Sequence, residues 1–423
     1  MIERYEDKRI KEAWSNNKKY IVWYKIEKKM ADVAARSLGK ELAEWKDIKF
    51  DASDEAEIKR IEQDTKHDVA AFVKYICDEN PKNAWAVHAG LTSSDLVDSA
   101  LSSSIKESTY VLIYMLVTLE NKLFGIANNN KNSVMLGRTH GQQAVIMTLK
   151  HKLTVYTNQL SAIIKKLRYY VDRLSFKTDG PVGMGTPLNR DTSDYQMLGC
   201  ALDLEGSQYR YECTQVIPRS YYFDIISTVF CASQVLASIA TDIRLLSQPE
   251  IGEFVLVNSK EQWGSSSMPH KVNPIKAERV CGLARLVQGY FNAFCGGMVL
   301  WNERDISNSC VEREALPSMF HAVVQQVKDL DDTLSTGAFN IKKMSDNVLS
   351  CNISVMSYYM VILLCARDIV SYDEAVGYVK RLLKGPVGSL TVKDILYNED
   401  INYGCLKVLR KFLKSTLYTQ KIA

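Results

Sequence analysis

Gly264-Ser265-Ser266-Ser267-Met268-Pro269-His270-Lys271-Val272-Asn273-Pro274 cannot be a regular helix. A glycine and two prolines hold it as a loop, and three successive hydroxyls followed by a cation and an amide suit it to meeting a ligand. The structural alternative is a serine-rich linker, which has little use for that lysine and asparagine. Pro274 fits the first turn of a helix, and apolar positions at three- and four-residue spacing carry that helix from Ile275 to Val299.

The same periodicity predicts long helices over Ser99–Ala127, Met147–Phe176, Tyr221–Leu246 and Val311–Leu334. Only nine prolines and 21 glycines punctuate 423 residues, so helix dominates and the fold class is all-α. Long helices of matched length bury their stripes against one another, which points to a bundle extending across subunits and hence to an oligomer. Punctuation divides the chain into an N-terminal helical domain (1–90), a central long-helix bundle (91–342) containing loop 264–274, and a C-terminal helical domain (343–423). Gly180-Pro181-Val182-Gly183-Met184-Gly185-Thr186-Pro187 interrupts the centre as a loop. Lys407, Arg410, Lys411 and Lys414 make one basic helix face, read as solvated.

Lys plus Arg number 53 against 49 Asp plus Glu, without long like-charge runs, which argues against a nucleic-acid partner. Ten scattered cysteines without a C-x-x-C pair read as reduced, mostly buried thiols. The start, Met1-Ile2-Glu3-Arg4-Tyr5, is charged too early for a secretory leader, so a cytoplasmic address is expected. The apolar runs Ile225–Thr241 and Ile353–Ala366 are too short or too polar for a membrane span and read as bundle centre.

The pattern G-S-S-x-M-P-x-K-x-N-P resembles the signature loop of the fumarase/aspartase superfamily, whose members eliminate fumarate from succinyl-type substrates. Other blocks resemble the adenylosuccinate lyase family over nearly the whole chain. They are Arg4-Tyr5 with Trp14-Ser15; His67-Asp68; His88-x-Gly90-Leu91-Thr92-Ser93-Ser94-Asp95; Gly137-Arg138-Thr139-His140-Gly141-Gln142; Thr214-Gln215-Val216-Ile217-Pro218-Arg219; and Trp301-Asn302-Glu303-Arg304-Asp305-Ile306-Ser307-Asn308-Ser309-Cys310-Val311-Glu312-Arg313. Departures are Gln143-Ala144-Val145-Ile146, where the family commonly has His-Ala-x-Pro, and the glycine-rich stretch from Gly180 to Thr186. The resemblance implies a homotetramer with a twenty-helix core and active sites shared between subunits. It also implies β-elimination of fumarate from adenylosuccinate, giving AMP, and from SAICAR, giving AICAR.

Such an elimination takes a proton from a carbon beside a carboxylate and expels an amine from its neighbour. The carbanion needs fixed donors and the leaving nitrogen needs a proton. By motif position, Ser265 is the general base, an alkoxide that Lys271 or backbone N–H groups must stabilise. His140 matches the general acid, a role that imidazole suits near neutrality. His67 resembles a second active-site histidine, as helper to the acid or phosphate contact, and His88 a weaker substrate contact. Lys271 and Asn273 are expected to hold the succinyl carboxylate with Thr92, Ser93, Thr139 and Gln215; the competing role for Ser93 is a helix N-cap. Arg4, Tyr5, Arg304, Ser309 and Arg313 are expected at the nucleotide phosphate, the alternative for Arg313 being an ion pair with Glu312 or Glu303. Glu278 and Arg279 look like further substrate contacts.

No metal site and no cofactor are expected, because the six histidines show no close ligand spacing and no phosphate-cradling glycine loop is present. The rival readings are a sister lyase acting on argininosuccinate, aspartate or malate, and a non-catalytic helical scaffold.

Overall fold

A computed structural model describes residues 2–185, 188, 192–202, 204, 213–257, 268, 270–368, 370–398 and 404–418. Ser265 lies outside them. A 3-10 turn at Glu3–Tyr5 leads into α1 (Lys8–Ala13) and α2 (Asn16–Leu38). Ser15 caps α2 by accepting the Lys18 N–H, and Gly39 ends it with φ 62°, a left-handed cap that glycine adopts without strain. Between these caps Tyr20, Trp23, Ile26, Met30 and Val33 are buried at three- and four-residue steps. Their rings meet Phe72 of the neighbouring helices: Tyr20 stacks on it at 5.7 Å and Trp23 meets it edge-on at 5.3 Å.

Two shorter helices, α3 (Ala52–Thr65) and α4 (Asp68–Glu79), complete this layer. Asp51 and Asp54 form a capping box on α3. There follow α5 (Ser93–Asn129), the hairpin β1 (Val134–Thr139) and β2 (Gln142–Thr148), α6 (Leu149–Val171), α7 (Thr192–Ala201), α8 (Ser220–Leu246), β3 (Phe254–Val255), α9 (Ile275–Gly296), α10 (Ser307–Thr336) and β4 (Ala338–Phe339). The C-terminal helices are α11 (Ile341–Ser350), α12 (Ser357–Asp368), α13 (Tyr372–Lys384), α14 (Val392–Tyr397) and α15 (Gly404–Tyr418).

The five long helices read from the sequence are thus present as α5, α6, α8, α9 and α10, and the fold is all-α, with strands confined to two-stranded ribbons among the described residues. Several boundaries move: α5 begins at Ser93 rather than Ser99, α10 at Ser307 rather than Val311, α9 ends at Gly296, and both ends of α6 shift. Met147 and Thr148 pair in the hairpin rather than starting α6. Residues Leu174–Phe176 leave α6 as a buried extended segment whose backbone is taken up by α5: the Ser102 hydroxyl donates to the Ser175 carbonyl, and the Lys177 N–H donates to Ser99 Oγ at 3.2 Å. Of the nine cysteines whose side chains are described, all free, only Cys351 is buried; Cys200, Cys231 and Cys310 are exposed on α7, α8 and α10, against the expectation of mostly buried thiols.

The chain forms two compact units, Met1–Val117 with Ser161–Ala237 and Val280–Lys328, and Thr118–Leu160 with Ser238–Arg279 and Asp329–Ala423. Neither is contiguous, and the chain passes between them five times, each time inside α5, α6, α8, α9 or α10. The first unit holds the aromatic core around Trp23 and Phe72. The second holds a core in which Val134 and Leu136 of the hairpin pack with Val348, Ile353, Met356, Val392 and Leu409. By length and hydropathy alone α5 and α8 could span a membrane, and α8, the helix expected over Tyr221–Leu246, contains the run Ile225–Thr241 that reads as too short or too polar by itself. Acidic side chains interrupt α5 early, and the first of them are buried.

Asp98 of α5 and Glu312 of α10 both grip Arg219, which donates to Asp98 at 2.8 and 3.0 Å and to Glu312 at 2.6 and 2.8 Å. Burial opposes the guanidinium charge, yet the two carboxylates more than offset it and hold its pKa above the usual range. Removing one partner strands a buried charge, at a cost of about 3–5 kcal/mol. Arg219→Ala is therefore expected to lower the denaturant midpoint sharply, whereas Arg60→Ala, which breaks an exposed pair with Glu57, leaves it in place. Equal midpoints for the two variants would refute the assignment.

Candidate active site

In the second unit His140 and Gly141 form the two-residue turn joining β1 to β2, with φ 54° and 74°. Two successive positive φ values define the tight hairpin turn whose twist matches the strands, and glycine at its second position makes it accessible. Thr139, His140 and Gln142 are exposed at this tip. A register shift at Gly137 brings the backbone close to β2; a Cβ there would sit 3.0 Å from Met147 Sδ and 3.1 Å from the Val145 carbonyl. Next to the tip, Arg138 makes a forked pair with Glu253, 3.0 Å on each arm, and Glu253 is fully buried. Asn347 of α11 donates to the same carboxylate at 2.9 Å. The histidine thus rides on a hairpin clamped just below its tip by a buried acid. Neither Arg138 as an anchor nor Glu253 emerged from the sequence, where the glutamate lies far from any motif.

The same unit carries a cleft of about 600 Å³ lined by Thr241, Arg244, His270, Lys271, Asn273 and Glu278 among others. Lys271 is exposed and its N–H donates to the Met268 carbonyl at 3.0 Å, while Asn273 and Pro274 lead into α9. Glu278 lies in the first turn of α9, facing this cleft. Arg279 is engaged instead by Asp329 of α10, with Nε at 2.7 Å from the carboxylate.

In the first unit His67 caps α4, its Nδ1 accepting the Ala70 N–H at 3.3 Å and its Nε2 lying 3.5 Å from Ser93 Oγ. Ser93 is the first residue of α5 rather than its cap; the Thr92 N–H is satisfied by Asp95 at 2.7 Å. Arg313 reaches Asp68 at 2.9 Å, joining the His67-Asp68 block to α10, so its acidic partner is neither Glu312 nor Glu303. Ser309 sits in the first turn of α10, as its spacing from Arg313 requires for a shared face. Asp68, Ser309 and Arg313 line one cleft of about 310 Å³ with Trp14, Lys19 and Trp23. Burial pushes the Lys19 ammonium below its usual pKa, and its charge lies 4.8 Å over the Trp23 ring.

Gln215 is held at both ends, donating to the Pro181 carbonyl at 2.9 Å and accepting from Arg304 at 2.9 Å. Arg4 is exposed and Tyr5 half-buried in the opening 3-10 turn, and neither lines the Ser309–Arg313 cleft. His88 is held by Glu27 of α2, a residue the sequence reading passed over although a lone acid among Trp23, Ile26 and Met30 breaks the apolar stripe. Lys19 and Asp68 were likewise not assigned roles.

A helical chain with Lys271, Asn273 and Glu278 on one cleft and an exposed histidine at a hairpin tip carries several of the groups that the fumarase/aspartase resemblance implies. Residues 5–289 match the family described as Lyase. Fumarate lyase from Mesorhizobium sp. BNC1 shares the fold with a TM-score of 0.75 at 18% identity, covering 99% of this chain and 98% of that one. The 3-carboxy-cis,cis-muconate lactonizing enzyme of Pseudomonas putida does so with a TM-score of 0.74 at 19% identity, over 97% and 96%. In sequence the chain is 31% identical to adenylosuccinate lyase of Aquifex aeolicus (strain VF5) over 407 residues, 94% of this chain and 91% of the relative. It is 31% identical to adenylosuccinate lyase of Bacillus subtilis (strain 168) over 82% of this chain and 81% of the relative. The chain belongs to the adenylosuccinate lyase family of the fumarase/aspartase superfamily.

Glu253→Gln is expected to loosen the tip end of the hairpin, since a buried donor left with a weaker partner costs about 1–3 kcal/mol. Amide hydrogen exchange across β1 and β2 should quicken while that of α2 stays as it was. Unchanged exchange in the hairpin would show that the Arg138–Glu253 clamp does not hold it.

Proposed function

We propose that the protein is a C–N lyase that eliminates fumarate from adenylosuccinate, leaving AMP, and from SAICAR, leaving AICAR. The observation that carries this reading is the 31% identity to adenylosuccinate lyase of Aquifex aeolicus across 94% of the chain. Ser265 takes the proton from the carbon beside the succinyl carboxylate, and the resulting electron pair expels the amine as the C–N bond breaks. His140 gives the leaving nitrogen its proton, a role suited to an exposed imidazole on a rigid turn. Lys271 and Asn273, with Thr92, Ser93, Thr139 and Gln215, hold the carboxylate on which charge develops. Arg313 and Ser309, aided by Arg4, Tyr5 and Arg304, receive the phosphate. His67, His88, Glu278 and Arg279 complete the set. Its products are those of purine biosynthesis, and the early charge at Glu3 and Arg4 supports a cytoplasmic address.

The active enzyme is a homotetramer in which subunits share sites across a twenty-helix core, and its chain divides at about 90 and 342 into three helical domains. The support for assembly is apolar surface: Tyr110, Tyr114 and Phe124 on α5, Tyr169 on α6, Tyr221 and Phe223 on α8 and Leu286 on α9 are all exposed in the single chain.

The test is to mix the purified protein with adenylosuccinate and follow loss of its ultraviolet absorbance with release of fumarate and AMP. Stoichiometric release is expected. His140→Gln should cut kcat by about 10²–10⁴-fold, the usual worth of a positioned acid. Arg313→Ala should raise KM for the nucleotide with a smaller change in kcat. Fumarate release from argininosuccinate, aspartate or malate, with none from adenylosuccinate, would move the chain to a sister activity; no turnover of any of them would favour a scaffold.

A further inference from the structure

Glu27 has no exposed surface and sits among apolar neighbours on α2. Burying a carboxylate is unfavourable unless it is paired. Its two oxygens are both committed to His88: one takes the backbone N–H and the other contacts ring Nδ1, each at 2.7 Å. His88 in turn has φ 61°, a left-handed backbone that a side chain with a Cβ seldom adopts. The buried acid and the strained histidine are thus tolerated together, and each accounts for the other. With Nδ1 tied to the carboxylate, Nε2 is the ring nitrogen left for a ligand, and the side chain keeps about a quarter of its surface exposed. The turn bearing His88 leads directly into Thr92 and Ser93.

We propose that Glu27 is a positioning residue for the elimination: it fixes the orientation of His88 and keeps a proton on each ring nitrogen, so that Nε2–H is a charged donor to an oxyanion of the substrate. This rests on the fumarate-releasing activity proposed above. The charged groups facing the ring are Glu27 from α2 and Asp95 from α5, and Asp95 is itself paired with the buried ammonium of Lys177. Burial works against the imidazolium, but the hydrogen bond and charge of Glu27 outweigh it and raise the His88 pKa above the ordinary value. The charge is therefore present below the raised pKa and lost as pH rises through it. Substituting glutamine removes the raising cause and leaves burial, so the charge is lost at lower pH.

The experiment is the pH profile of kcat/KM for adenylosuccinate in the wild type, Glu27→Gln, Glu27→Asp, His88→Asn and the Glu27→Gln/His88→Asn double variant, together with a ¹⁵N titration of His88. In Glu27→Gln the alkaline limb should move to lower pH; a displacement of one unit costs about 10-fold in kcat/KM above both pKa values. Glu27→Asp should recover part of the loss, the double variant should be no worse than His88→Asn, and the His88 resonance should titrate at lower pH. Superimposable profiles, or a uniform loss with the His88 titration unmoved, would overturn the proposal. Should Glu27→Gln fail to fold, a wild-type His88 titrating at or below about 6.5 overturns it equally.

Calorimetry with fumarate and with AMP, at a pH between the two titration midpoints measured for His88, identifies the oxyanion. Weakened fumarate binding in Glu27→Gln assigns the succinyl carboxylate, weakened AMP binding assigns the phosphate, and no change in either overturns the contact. A wild type that turns over no adenylosuccinate, yet shows the shifted His88 titration on Glu27→Gln, would remove the proposed activity and leave the pairing standing.

Discussion

Two buried carboxylates one turn apart, Asp95 and Asp98 on α5, organise the first unit. Asp95 receives the ammonium of Lys177 and the N–H groups of Thr92, Asp179 and Gly180. Asp98 receives the Ile217 N–H at 2.7 Å and the guanidinium of Arg219, which Glu312 shares. Three segments distant in sequence are thereby tied, with the entry to α5, to one helix turn: the strand-like run before Gly180, the segment before α8, and the start of α10. These are the segments that bear Thr92, Ser93, Gln215, Arg304, Ser309 and Arg313. An acid in water gains little from such bonds, whereas a buried one must have them, so the arrangement is close to all-or-none.

The glycine-rich run after Asp179 depends on the same anchor. Gly183, at φ 77°, lies so close to Cys213 that an added Cβ would fall 2.0 Å from its carbonyl oxygen. Only glycine fits, which explains why this stretch is dense in it. The neighbouring Pro181 carbonyl then accepts from Gln215, whose other end takes Arg304. Gln215 is thus held by backbone on one side and by a second candidate binding residue on the other.

The long helices were legible because an apolar stripe at helical spacing is a property of local sequence, and α8 and α9 begin within a residue of where the pattern starts. The hairpin was not. Val134, Leu136, Val145 and Ile146 suit strands, but the turn reads His140-Gly141 rather than the asparagine–glycine pair that announces such hairpins, and Met147 extends the helical pattern of α6 backwards. The blocks bearing His67, Ser93 and Arg313 were legible as candidates from family likeness, and Asp68 is the residue through which two of them meet. The partners of Glu27 and Glu253 were not legible for a common reason: each acid lies far in sequence from the group it holds, and only the folded chain makes them neighbours, although the break Glu27 makes in the apolar stripe marks it as unusual.

The five passages between the two compact units, each inside an unbroken helix, bear on how such a chain can change over evolutionary time. A unit made of three separated stretches has no single gene segment that encodes it, so it cannot be traded, duplicated or lost by recombination as a contiguous module can. A break at any passage would also sever a helix rather than a linker. Diversification of this architecture is therefore channelled into side-chain substitution and into the loops that join helices, leaving the helical frame common to chains with quite different chemistry.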